Sequence, residues 1–358
     1  MPSTITDTPA SLGFSHPAEW EPHDATWLAW PHNRTDWPGK LVPVYWVYAE
    51  IVRKLSHSEQ VRILVQDGGH EARAQRSLDS VGVDPSHVEF WRIPTDRGWT
   101  RDYGPIFLRH DGSRPEVAVA DFAFNAWAKY PDWQKDNAAT RKVAKRLGLQ
   151  VLTCRIQGRP FVLEGGAIDL NGEGTVVTTE ECLLDQEIQA RNPGLDRSEV
   201  ETALCDHLGV RQVIWLGRGI AGDDTHGHVD DLCRFVAPDT VVLCRENDTK
   251  DANHRALAEN RERLQGVRLA QGATLQVVDL PMPAPLYFQG RRLPASYANF
   301  YIANGAVLVP TFNDRNDRVA LGILAELCPG REVVGIHAVD LIWGLGAIHC
   351  LTHEQPAP

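Results

Sequence analysis

The sequence has 358 residues, 43% hydrophobic and 23% charged, which suits a globular chain with a sizeable core. Lysine and arginine total 36 against 47 aspartates and glutamates. The resulting net charge of −11 argues against nucleic acid and anionic membrane as partners and suits a cationic ligand. Seven scattered cysteines without a CxxC pair argue against a disulfide framework and for a reducing, cytoplasmic setting.

Residues 1–16 read as a mobile leader. They lack the basic start and apolar centre of a signal peptide, and no apolar run approaches the roughly 18 residues of a membrane span. Four tryptophans follow from Trp20 to Trp37. They fit an aromatic-rich core strand or the aromatic wall of a pocket, since aromatic faces also attract cations. Helical periodicity then recurs at 41–57, 70–81, 134–148, 197–208, 252–264 and 316–328. Strand-like runs lie between, among them Val61–Gln66, Val88–Ile93, Val117–Phe124, Thr175–Thr179, Gln212–Leu216, Thr240–Leu243 and Glu332–Ile336. The run 299–312 reads as a hairpin turning at Asn304-Gly305. The last five helices recur at roughly 60-residue spacing, with two or three short strands between, which is the mark of a repeat architecture. No Ser/Gly/Pro linker divides the chain, so 1–358 reads as a single domain.

Four short stretches carry chemistry. In Trp99-Thr100-Arg101-Asp102-Tyr103-Gly104-Pro105, Arg101 and Asp102 pair around a turn, or Asp102 faces a cation, whose guanidinium a carboxylate can grip with two parallel bonds. Glu164 stands before Gly165-Gly166, as a solvated turn residue or as a carboxylate exposed by the missing side chains. The richest cluster is Gly222–Asp231. If it is extended, alternate side chains share a face, so His226, His228 and Asp230 point together. That trio suits a metal site. It equally suits acid–base chemistry, with His228 moving protons and Asp230 binding a cation. A polar strand edge is the bland alternative.

The fourth stretch is Gly344-Leu345-Gly346-Ala347-Ile348-His349-Cys350. Glycines permit positive φ or close approach to a ligand, so this loop delivers one thiol to a defined point. Cys350 reads as a nucleophile and the other six cysteines as buried structural thiols.

In this order, Trp99-x-Arg101-Asp102-x-Gly104-Pro105, Leu163-Glu164-Gly165-Gly166, His228-x-Asp230 and Gly344-x-Gly346-x-Ile348-His349-Cys350 resemble the agmatine deiminases and bacterial peptidyl-arginine deiminases of the guanidino-group-modifying superfamily. The resemblance runs from about Pro17 to Pro356 and includes Trp20–His23 and Arg292–Phe300. It implies a five-bladed, pseudo-symmetric α/β propeller of ββαβ units. It implies Cys350 as nucleophile, His228 as general acid/base and Glu164 as the carboxylate that holds the histidine and substrate in place. Asp102 and Asp230 would grip the guanidinium, and Trp99 would flank the aliphatic chain. The expected reaction is hydrolytic deimination through a Cys thiouronium, giving N-carbamoylputrescine and ammonia if the substrate is agmatine. No metal or organic cofactor is implied.

Asp224, with Asp223, is the candidate for a cationic tail. A homodimer or higher homo-oligomer is compatible with the chain. Leu345 and Ala347 depart from the Gly-Gly-Gly-Asn of agmatine deiminases, and Arg97, if it faced the pocket, would repel an amine. Other guanidino compounds or peptidyl-arginine therefore stay open as substrates. So do three other readings: an amidinotransferase-like activity, a metal-dependent hydrolase on His226, His228 and Asp230, and a propeller serving only to bind.

Overall fold

The computed structural model describes residues 7–113 and 115–358. Its sheets repeat one connection. Ile106–His110 pairs antiparallel with Glu116–Asp121, the helix Gln134–Leu147 crosses over, and Gln150–Thr153 returns parallel to Glu116–Asp121. A parallel return needs a crossover of a dozen or more residues, and the helix supplies it.

The same order holds for Asp169–Leu170, Thr175–Thr179, Arg197–Leu208 and Gln212–Leu216. It recurs in Cys233–Ala237, Thr240–Arg245, Ala252–Arg263 and Gln276–Pro281. It recurs again in Tyr301–Ile302, Ala306–Thr311, Asp317–Leu327 and Glu332–His337. The remaining sheet takes strands from far apart in the chain. His353–Pro356 pairs antiparallel with His23–Ala29, the helix Leu41–Leu55 follows, and Gln60–Val65 and Val88–Arg92 add in parallel. The fold is thus mixed α/β, with two small ribbons at 155–160 and 287–292.

The six expected helices appear within two residues of their expected bounds. Their ends are written locally. Asp196 and Glu199 form a reciprocal capping box at one start, and Gly148 and Gly209 take left-handed φ of 72° and 69° at two ends. The hairpin at Asn304-Gly305 is present. The polar strand His353–Pro356 escapes periodicity because ion pairs and hydrogen bonds bury it. Arg101 holds Glu354 at 2.7 Å, and Trp27 Nε1 donates to Gln355 at 3.0 Å.

The expected leader divides. Residues 1–6 lie outside the described residues. Residues 8–16 are docked rather than mobile: Ala10 N–H donates to Asp206 O, Ser15 bridges to Arg109, and Phe14 is buried. No helix among the described residues is long and apolar enough to cross a membrane.

Candidate active site

Each connection between the five sheets delivers a polar group just before the next sheet's first strand. Asp102 precedes Ile106–His110, Glu164 precedes Asp169–Leu170, and His228 and Asp230 precede Cys233–Ala237. Asn299 precedes Tyr301–Ile302, and Cys350 precedes His353–Pro356. Four of these connections wind into one helical turn, at Thr100–Tyr103, Gly165–Ala167, Val229–Asp231 and Ile348–Leu351. The repeat therefore places at least one chemical group per unit.

The Cys350 loop uses its glycines for close approach. A Cβ on Gly346 would lie 2.7 Å from the Trp99 ring and 3.2 Å from Cys350 Sγ. The left-handed residue is Leu345, at φ 71°. Asn299 fixes the thiol: its Nδ2 donates to Cys350 Sγ at 3.2 Å and to Asp231 at 3.0 Å, and its Oδ1 accepts from His349 N–H at 3.0 Å. Asp230 Oδ2 stands 3.7 Å from the sulfur. Burial raises the thiol, and Asp230, Asp231 and Asp102 add to it, so Cys350 titrates well above the ordinary thiol range.

His349 is buried between two carboxylates. Its Nδ1 lies 2.7 Å from Asp230 Oδ2 and its Nε2 lies 2.7 Å from Glu19 Oε2, so each ring nitrogen is held by a carboxylate. Glu19 in turn accepts from Arg234 at 2.8 Å and Arg101 at 3.2 Å. Asp230 is thereby fixed, with Oδ1 left without a hydrogen-bond partner. Burial opposes its charge, yet His349, His228 and Arg234 together outweigh it and keep Asp230 below the usual carboxylate value.

His228 is buried 3.7 Å from Asp102, 3.6 Å from Glu164 and 4.0 Å from Asp230, and neither ring nitrogen has a hydrogen-bond partner. Burial opposes the charged ring, but Asp102, the Cys182 thiol and Glu164 outweigh it and hold His228 protonated well above the usual imidazole range. Gly166 lets the ring in, since a Cβ there would lie 2.6 Å from His228 Nδ1. Glu164 Oε1 accepts from Arg191 Nε at 3.0 Å in a fully buried pair. Burial raises Glu164, yet Arg191 and His228 bring it down to about 2. Asp102 accepts from Gly166 N–H at 3.1 Å and Trp127 Nε1 at 2.9 Å. Burial lifts its carboxyl to about 6.

Cys350, Asp102, Trp99, Trp127, Leu345 and Asp224 line one small, open-mouthed cavity of about 180 Å³. The tryptophan run splits between its two readings. Trp27 packs in the core against Trp91 at 4.8 Å, whereas Trp37 braces the pocket wall by lying 4.9 Å from Trp99.

His226 does not join His228 and Asp230. Its φ of 65° and the left-handed Gly227 break the extended path, and its Nε2 pairs with Asp185 at 2.8 Å. Asp223 is an anchor rather than a tail group, accepting from the backbone N–H of Thr225, Gly227 and His228. Asp224 does line the cavity, but its oxygens already accept from Lys129 at 2.9 Å, Tyr130 at 2.6 Å and Arg291. Arg97 also lines the cavity, neutralised by Asp36 and by Asp132 at 2.9 Å. The repulsion expected of a free guanidinium is thus cancelled.

Sequence reasoning missed Glu19, Trp127, Arg191 and the bracing role of Asn299. Only Asn299 stood in a motif that drew attention. Trp127 sits in a run of three left-handed residues, Ala126, Trp127 and Ala128, with φ of 52°, 58° and 52°. Such residues cost about 1–2 kcal/mol each when they are not glycine. The Ala128 side chain is exposed, so Ala128→Gly removes strain without removing packing. After the entropy cost of glycine, a stabilisation of about 1 kcal/mol is expected. It reads as a higher denaturant midpoint at unchanged slope; an unchanged midpoint contradicts the strain.

The α/β fold thus sets the Cys350 thiol and Asp102 in one cavity, with Asp230 behind the sulfur and His228 among Asp102, Glu164 and Asp230, the elements of a thiol-dependent guanidino-group chemistry. This chain belongs to the Porphyromonas-type peptidyl-arginine deiminase family, whose model matches residues 15–356. It is 36% identical to the agmatine deiminase of Ectopseudomonas mendocina and 37% identical to that of Medicago truncatula, over 99% of each chain in both cases. Its structure is similar to that of the Enterococcus faecalis agmatine deiminase, with a TM-score of 0.89, 31% identity and 99% of each chain covered.

Proposed function

We propose that this chain hydrolyses agmatine to N-carbamoylputrescine and ammonia. The observation that carries the reading is a set of partnerless polar atoms around one buried thiol: Asp230 Oδ1, Glu164 Oε2 and both His228 nitrogens. Partnerless buried groups are costly unless something fills them. A planar guanidinium, rich in donors, matches the carboxylate oxygens. Full-length similarity to agmatine deiminases supports agmatine among guanidino compounds.

In the proposed reaction, Asp102 and Asp230 hold the guanidinium flat and in line with the sulfur. The arriving positive charge offsets the carboxylates that keep Cys350 protonated, so substrate binding drives the thiol proton out to solvent, where the departing ammonia later takes one up as ammonium, and substrate promotes its own thiolate. Sulfur adds to the guanidinium carbon. His228, protonated in the resting site, gives its proton to one terminal nitrogen, which leaves as ammonia. The neutral ring then takes a proton from water as water attacks the thiouronium. The carbon–sulfur bond breaks and the ureido product and thiol result. Glu164, locked by Arg191, keeps the imidazole in place throughout.

Five sheets of one connection order, each feeding the site, support a five-bladed propeller arrangement in a single domain. Seven free cysteines support a cytoplasmic location. Exposed Val42 and Trp46, one turn apart on Leu41–Leu55, support self-association as a homodimer or larger assembly.

The test is a panel of agmatine, arginine, 4-guanidinobutyrate and an arginyl peptide, scored for ammonia and ureido product. Agmatine is expected to give the highest kcat/KM. Ammonia-free turnover that requires an added amine would show group transfer instead.

A further inference from the structure

We propose that Asp36 anchors the ammonium end of the substrate at the cavity mouth. This rests on the deiminase reading and extends it to the tail. The Asp36 side chain is 1% exposed and lines the same cavity as Cys350. Its Oδ1 accepts from Arg97 Nη1, while its Oδ2 is buried without a hydrogen-bond partner. An unmatched, buried carboxylate oxygen on a residue that lines a ligand cavity calls for a donor, which a ligand there can supply.

The rim charges favour a cation at this point. Arg97 is shared between Asp36 and Asp132 and lies 4.3 Å over the Tyr130 ring. Two carboxylates against one guanidinium leave that group with one negative charge in excess. The opposing trio of Asp224, Lys129 and Arg291 has one positive charge in excess. Its cations are 37% and 48% exposed and Asp132 is 41% exposed, so solvent screens all three, whereas Asp36, with its unmatched Oδ2, is shielded from water. Arg97 Nε is also without a partner. A carboxylate on the tail could accept from it, but that carboxylate would then face Asp36. An ammonium meets Asp36 with no such clash.

The tail contact separates from the chemistry when two substrates are compared. n-Butylguanidine has the chain and the guanidinium of agmatine but no amine. For Asp36→Asn, kcat/KM for agmatine is expected to fall about 10–100-fold, the range of a hydrogen bond to a charged group, while n-butylguanidine changes little. Asp132→Asn loosens Arg97 equally without touching the anchor, and should keep the wild-type ratio between the substrates. In the wild-type enzyme the preference for agmatine should shrink below pH 6, because burial, opposed by Arg97, holds the Asp36 carboxyl up at about 6. That profile tests the anchor even if Asp36→Asn does not fold. A ratio unchanged in Asp36→Asn, or lowered equally in Asp132→Asn, overturns the anchor and leaves the deiminase reading intact. Wild-type enzyme inert towards both substrates overturns that reading, and the anchor with it.

Discussion

Cys350→Ala is expected to abolish ammonia release from agmatine, by about 10⁴-fold or more, the scale on which covalent catalysis collapses when its nucleophile is removed. The fold should survive. Cys350 is 7% exposed at the cavity floor, so the truncation enlarges a space that is already open. Two measurements settle the point together: ammonia released per minute and the denaturant midpoint. A folded Cys350→Ala enzyme with wild-type turnover would rule out the thiol mechanism. A thermally collapsed variant would be replaced by Cys350→Ser, which keeps the volume and the Asn299 contact but is a far weaker nucleophile. Agmatine should still bind either variant, because the carboxylates that receive the guanidinium are untouched.

The second large effect is His228→Ala, expected to lower kcat about 10²–10⁴-fold, the usual contribution of a positioned acid–base. His228 touches both halves of the reaction, so no single step should escape. The variant also removes a cation from among Asp102, Glu164 and Asp230. Substrate is itself a cation, so KM should fall or hold while kcat drops. Intact-mass measurement during turnover adds a second readout. If deacylation slows more than attack, an amidino adduct on Cys350 accumulates. Wild-type kcat in a folded His228→Ala protein would remove the imidazole from the mechanism.

Helices were legible because their signals are local. A period of apolar residues, Asp196 with Glu199 at a start and glycine at an end suffice to draw Arg197–Leu208. The groups at Asp102, Glu164, His228, Asp230 and Cys350 were legible for a similar reason, since each stands beside glycine or another polar residue at the start of a repeat. Their partners were not. Glu19 reaches His349 across 330 positions, and Trp127 reaches Asp102 across 25 through a backbone that no propensity favours. Arg191 sits in an ordinary loop and matters only because the fold carries its guanidinium to Glu164, 27 positions away. His226 misled because period two assumes an extended chain, and one left-handed residue turned it away from His228. The Arg97 concern failed for a converse reason. Charge read from sequence is unpaired charge, and Asp36 and Asp132 pair it here.

The upward shift of Cys350 carries a consequence beyond turnover. Peroxides and electrophiles attack thiolate, not thiol, and oxidation past the sulfenic state is irreversible for most proteins. A nucleophile kept protonated by Asp230, Asp231 and Asp102 is therefore a poor target while the cavity stands empty. The hazard is confined to the moments when a bound cation has drawn the thiolate out, and then the ligand itself covers the sulfur. In the proposed reaction the carboxylates that receive the cation thus double as a guard, keeping the resting sulfur in a form that oxidants attack slowly.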